Sequence, residues 1–107
     1  MGKEVLYSYH GYDFTWDEEK AENNLRKHGI SFEEACQAVL NFIQVIEDVS
    51  EEGEQRWAVI SYPLSDRFTG PIYVIGVDAG DEAWRIISAR ESTSAERLRY
   101  EKEVSSY

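Results

Sequence analysis

The 107-residue chain predicts an α+β fold, an antiparallel sheet of four or five strands with two N-terminal helices and one C-terminal helix packed on it. Three observations predict it. Apolar residues at helical spacing, each run opened by a capping residue, occur over 17–41 and again after Thr93. The residues between them fall into short alternating runs. Those runs are joined by links too short for crossovers, so consecutive strands form an antiparallel meander. No repeat or linker divides the chain, and its length suits one domain over residues 1–107.

Residues 3–16 alternate well enough for one strand or a hairpin, with Tyr12, Phe14 and Trp16 on one side and a break at His10-Gly11. Asp17 can cap a first helix over 17–28, which puts Ala21, Leu25 and His28 on one stripe. Gly29 stops it, because glycine reaches the left-handed conformation freely and the preceding Arg26, Lys27 and His28 suit the negative helix end. Ser31 and Glu34 form a capping box for a second helix over 32–41, whose Phe32, Ala35, Cys36, Val39 and Leu40 make a face to pack on a sheet. Strands follow at Phe42–Asp48, Arg56–Pro63, Ile72–Val77 and Ala83–Ala89. An acidic turn around Gly53 joins the first pair and a hairpin at Asp78–Asp81 the last. Thr93 and Glu96 form a second capping box, opening a helix that runs to about Glu103.

With 42% hydrophobic and 13% aromatic residues, the composition is that of an ordered globular protein. No apolar run reaches the ~18 residues of a membrane span and no signal-peptide core opens the chain, so a cytoplasmic location without membrane contact is expected. Cys36 stands alone on an apolar helix face, as a buried structural thiol does. Net charge is −10, which argues against a nucleic-acid partner, but the distribution is uneven. Residues 20–28 and 85–102 hold eight of the eleven Lys and Arg residues. If folding joins them, they form a basic patch on an acidic body.

No metal-ligand spacing, phosphate-binding glycine loop or nucleophile elbow occurs, so neither a metal nor another cofactor is expected. The Arg, Lys, His and Tyr side chains of the two basic segments suit metal-free RNA cleavage. That reaction needs a base for the 2′-hydroxyl, cations for the phosphate and an acid for the leaving oxygen. On the last strand, alternation points Trp84, Ile86, Ser88 and Arg90 one way and Arg85, Ile87 and Ala89 the other. Arg85 and Arg90 therefore share a face only across a bulge. Arg90 at the strand end, with Arg97 and Tyr100 three apart on the helix, forms a candidate constellation, and Arg85 is a weaker member. His28 is a candidate for proton transfer. Lys20, Arg26, Lys27, Arg85 and Arg99 are candidates for holding the RNA backbone. The alternatives are a surface in which the arginines pair with Glu91, Glu96 and Glu101, and a His28 that only caps its helix.

The segments WDEEKAENNLRKHGISFEEA and RIISARESTSAERLRYE carry a resemblance, spanning residues 12–103, to the BrnT family of type II toxin-antitoxin toxins. It implies a RelE-like fold and metal-independent endoribonuclease activity that inhibits translation. It also implies a BrnA-type ribbon-helix-helix antitoxin as partner, with operator DNA reached only through that antitoxin. Lys27 and His28 of the KHG run, Arg90, and Arg97 and Tyr100 of the ERxxY helix are the residues it points to. Glu18 stands where the family has proline after the Trp-Asp pair, which leaves the Asp17 cap intact. The acidity of the chain keeps a second expectation open: a catalytically weak or inactive member that binds the antitoxin and regulates the operon.

Overall fold

A computed structural model, describing residues 2–106, resolves the N-terminal stretch as a hairpin. β1 (Glu4–Tyr9) and β2 (Tyr12–Asp17) are joined by His10 and Gly11, whose φ values of 50° and 81° give the tight turn that matches strand twist. Asp17 then accepts a hydrogen bond from Glu19 N at 3.2 Å and opens α1 (Glu18–His28). Gly29, at φ 71°, donates its N–H to Leu25 O and ends the helix. The Ser31–Glu34 capping box starts α2 (Phe32–Val39). It is two residues shorter than the spacing predicts, and residues 42–44 turn before β3 (Val45–Asp48) begins. β4 (Trp57–Ser61), β5 (Ile72–Gly80), β6 (Ala83–Glu91) and α3 (Ser94–Val104) complete the order.

The sheet has six strands in the order β1-β2-β6-β5-β4-β3, which corrects the expected four or five. It is also mixed, because β2 runs parallel to β6 while every other pair is antiparallel. Topology explains both differences. The chain leaves β2 through two helices and enters β3 at the far edge, so the four-strand meander returns to β2 only with its last strand, already pointing the same way.

The two sheet faces are covered unequally. Phe32, Ala35, Cys36 and Ala38 of α2 pack on one face with Phe14, Trp16, Val74, Ile86 and Ala89. Each large side chain buried there contributes roughly 1.5–3 kcal/mol. On the other face, Tyr100 of α3 packs with Ala58, Ile60 and Tyr73. α1 departs from the expected stripe, since Leu25 is 50% exposed and Asn24 is buried instead. The reason lies in β6. β2 pairs with β6 only as far as Thr15 opposite Arg85. Beyond that point Asn24 donates to Ala89 O at 2.8 Å and accepts from Ala89 N at 3.1 Å. Its amide thus meets the backbone groups that an adjacent strand would otherwise satisfy.

Candidate functional site

Arg85 and Arg90 do share a face, because β6 carries the bulge that their spacing requires. Tyr73 pairs with Arg90 and Ile75 with Ser88, but Gly76 pairs with Ile86, leaving Ile87 as the extra residue. The alternation read from sequence is therefore reversed across Ile87. Ile86 and Ala89 are both buried on the α1/α2 face, while Arg85, Ser88 and Arg90 belong to the α3 face.

Arg90 is the most constrained of these cations. Its Nη1 and Nη2 each lie 2.8 Å from Glu96, Nη1 also donates to Glu91 O, and its guanidinium sits 4.3 Å from the Tyr73 ring centroid. Glu96 is itself the capping-box residue of α3, accepting Thr93 N at 2.8 Å. The Arg90 hydrogen bonds hold its carboxyl below the usual range, against a desolvation that raises it. Burial, then the Glu96 and Glu47 carboxylates, push the Tyr73 phenol up, so it is protonated at neutral pH. Tyr73 has no motif around it and reads from sequence as a plain strand residue.

α3 brings three further candidates to this face. Arg99 meets Glu47 of β3 at 2.7 and 3.0 Å. Arg97 reaches Glu101 at 3.3 Å, and a Cβ on Gly70 would come 3.1 Å from its Nη1, so the tight loop before β5 is open to that guanidinium. Tyr100 is 8% exposed, packs edge-on against Tyr62 at 5.7 Å, and borders a cleft with Phe42, Ile43 and Val104. At the other end of the face, Arg85 is held by Glu4 and lies 3.5 Å from Thr15 Oγ1. Each arginine of the C-terminal segment therefore has a glutamate partner. Glu96 and Glu101 were among the expected ones, and Glu4 and Glu47 were hidden by sequence distance.

The N-terminal candidates lie elsewhere. His28 is half-buried at the end of α1, the helix that Asn24 fastens to the opposite side of β6. Lys20, Arg26 and Lys27 are exposed on α1. Arg26 bonds Asn23, and Lys20 and Lys27 make no ion pair among the described residues. The two basic segments touch where the Asn24 side chain meets the Ala89 backbone. The cation missed in this region is Arg67, which holds Glu34 at 2.9 and 2.7 Å and Gly29 O at 2.6 Å. It clamps the corner between α1 and α2, and nothing in its own loop sequence signals that.

A family model described as ribonuclease toxin, BrnT, of type II toxin-antitoxin system matches residues 16–96. The match puts this three-helix, six-stranded fold among the toxins of such systems. The chain belongs to the BrnT family. It is also similar to the 1.1 Å crystal structure of the Brucella abortus ribonuclease toxin BrnT, at 26% identity over 74% of this chain and 94% of that one, with a TM-score of 0.54. Comparison with curated proteins finds no match. The family match takes in His28, Arg85 and Arg90 but stops before Arg97, Arg99 and Tyr100. Among the described residues, no helix is long and apolar enough to cross a membrane.

Proposed function

We propose that this chain is one RelE-like toxin domain over residues 1–107, a cytoplasmic, metal-independent endoribonuclease that cleaves RNA and so inhibits translation. A BrnA-type ribbon-helix-helix antitoxin neutralises it, and operator DNA is contacted only through that antitoxin. The observation that carries the reading is the bulge at Ile87, which aligns Arg85 and Arg90 on the face to which α3 adds Arg97, Arg99 and Tyr100. In this reading Arg90 and Arg97 stabilise the phosphate as the 2′-oxygen attacks phosphorus and the bond to the 5′-oxygen breaks. Arg85 and Arg99 hold the flanking backbone, exchanging their glutamates for phosphate oxygens. Tyr100, on the same face, supplies the proton to the leaving oxygen, and the proton of the 2′-hydroxyl passes to solvent water. His28, Lys20, Arg26 and Lys27, across the sheet, take a length of RNA that passes around the end of β6.

The test is cleavage of purified RNA by purified chain in the presence of a chelator, with Tyr100→Phe and His28→Gln beside the wild type. Loss in the first and near-normal cleavage in the second supports the α3 face as the reaction centre, and the reverse pattern removes it. A second reading, a weakly active member kept for antitoxin binding and operon control, is favoured by the glutamate on every arginine of that face. It predicts a tight antitoxin complex and intact RNA.

A further inference from the structure

α2 ends at Val39, and past its end the sheet face that it covers is open. A groove of about 330 Å³ remains there, walled by Val39, Gln44, Ile46, Trp57, Val59 and Trp84. Gly76 lies beneath the Trp84 ring. A Cβ at that position would lie 2.4 Å from the Trp84 indole, so the absence of a side chain lets the ring extend over β5 towards Trp57, the cross-strand neighbour of Gly76. Ile46, 60% exposed, stands on the rim. This is an exposed apolar surface, of the kind that marks a contact site.

Its surroundings specify the partner. Asp48 is paired with Trp57, and Asp78 with Trp84, so both carboxylates flank the groove on its own face. The turns at the same end of the sheet add Glu51, Glu52, Asp81 and Glu82. The one cation in the β3–β4 link, Arg56, is held by Glu54 at 2.7 Å. A nucleic acid is repelled by this frame, and so is a second copy of a chain at net charge −10. A protein segment with a large apolar side chain between lysines or arginines satisfies both the walls and the rim.

We propose that this groove anchors the antitoxin through such a basic, apolar segment, an inference that rests on the chain having an antitoxin partner. The anchor lies on the opposite sheet face from Arg90, so antitoxin binding and RNA cleavage are separable by mutation.

The experiment titrates the full chain with the purified product of the adjacent antitoxin gene, read by calorimetry and by the emission of Trp57 and Trp84. Two variants are compared with the wild type, each checked by thermal melting: Ile46→Lys, and Glu51→Gln/Glu52→Gln/Glu82→Gln, whose exposed positions leave folding intact. Weakening by about tenfold or more in either folded variant, together with a shifted tryptophan emission on binding to the wild type, supports the anchor. Wild-type affinity in both variants overturns it, as does self-association of the free chain through the groove. RNA cleavage by the free variants should equal that of the wild type. If the wild type leaves RNA intact while the variants still lose antitoxin, the ribonuclease reading fails and the anchor stands. If RNA is cleaved and both variants bind normally, only the anchor fails.

Discussion

Arg90 stacks its guanidinium 4.3 Å from the centroid of the Tyr73 ring, directly across the β5–β6 pair. The ring orients the cation from one side while Glu96 holds its guanidinium by two hydrogen bonds. Tyr73→Phe keeps the stacking and removes the hydroxyl. We expect stability within about 1 kcal/mol of the wild type. If the phenol takes part in positioning the phosphate, cleavage falls by about tenfold or more. Unchanged cleavage would assign Tyr73 to packing alone.

The pairing of Arg90 with Glu96 makes a simple growth assay ambiguous. Arg90→Ala leaves a carboxylate of 8% exposure without its arginine, at a cost of about 1–2 kcal/mol for a pair whose arginine is one-third open to solvent. Arg90→Ala/Glu96→Gln should recover about half or more of that loss in thermal melts. Expression of either variant in a bacterial host should relieve the growth arrest expected from the wild type. Arrest by the stable double variant would exclude Arg90 from the chemistry.

Glu34 and Glu96 repeat one device, a capping-box glutamate that also holds an arginine. Hydrogen bonds from Arg67 and Arg90 respectively are the leading cause that lowers their pKa values below 4.5. With the folded-state value depressed, their stabilisation is complete above about pH 4.5 and is lost as pH falls through the lower folded values. Glu34→Gln/Glu96→Gln should therefore melt below the wild type at pH 7, with the gap closing as the pH falls below 4.5. A constant gap would mean that the carboxylate charges contribute nothing.

These two boxes were legible in the chain because a cap is a contact between residues three apart, and the same holds for the Gly29 stop and the His10-Gly11 turn. The sheet order was not. Nothing near β2 says that its neighbour is β6, and nothing near Ile87 says that it bulges, since both depend on strands distant in sequence. For the same reason the candidate arginines could be named while Glu4 and Glu47, their partners, could not. Tyr73 and Arg67 are ordinary in their local sequence and acquire roles only from what folds against them.

Asn24 offers a sharper test of that long-range chemistry. Asn24→Ala strips the partners from Ala89 N and O, and also from Ile30 O. We expect a loss of about 2–4 kcal/mol in denaturant unfolding. Asn24→Asp should be no better at neutral pH, because a carboxylate cannot donate to either carbonyl. An Asp variant as stable as the wild type would contradict the role assigned to the side-chain N–H groups.

Gly76→Ala places a methyl group 2.4 Å from the Trp84 ring. Overpacking of this kind costs about 1–3 kcal/mol, and the displaced indole should show a red-shifted emission. An unshifted spectrum with wild-type stability would mean that the ring has room to move aside.

The parallel join between β2 and β6 links Thr15 to Arg85 across 70 positions of chain. On the ribosome, the N-terminal hairpin emerges early but has no strand to dock against until β6 has been translated. Closing so long a loop is a late event in folding. Arg85 and Arg90 travel on that same late strand. A chain interrupted anywhere before residue 83 lacks both the strand that completes the sheet and the cations it carries, so truncated translation products cannot assemble the arginine face.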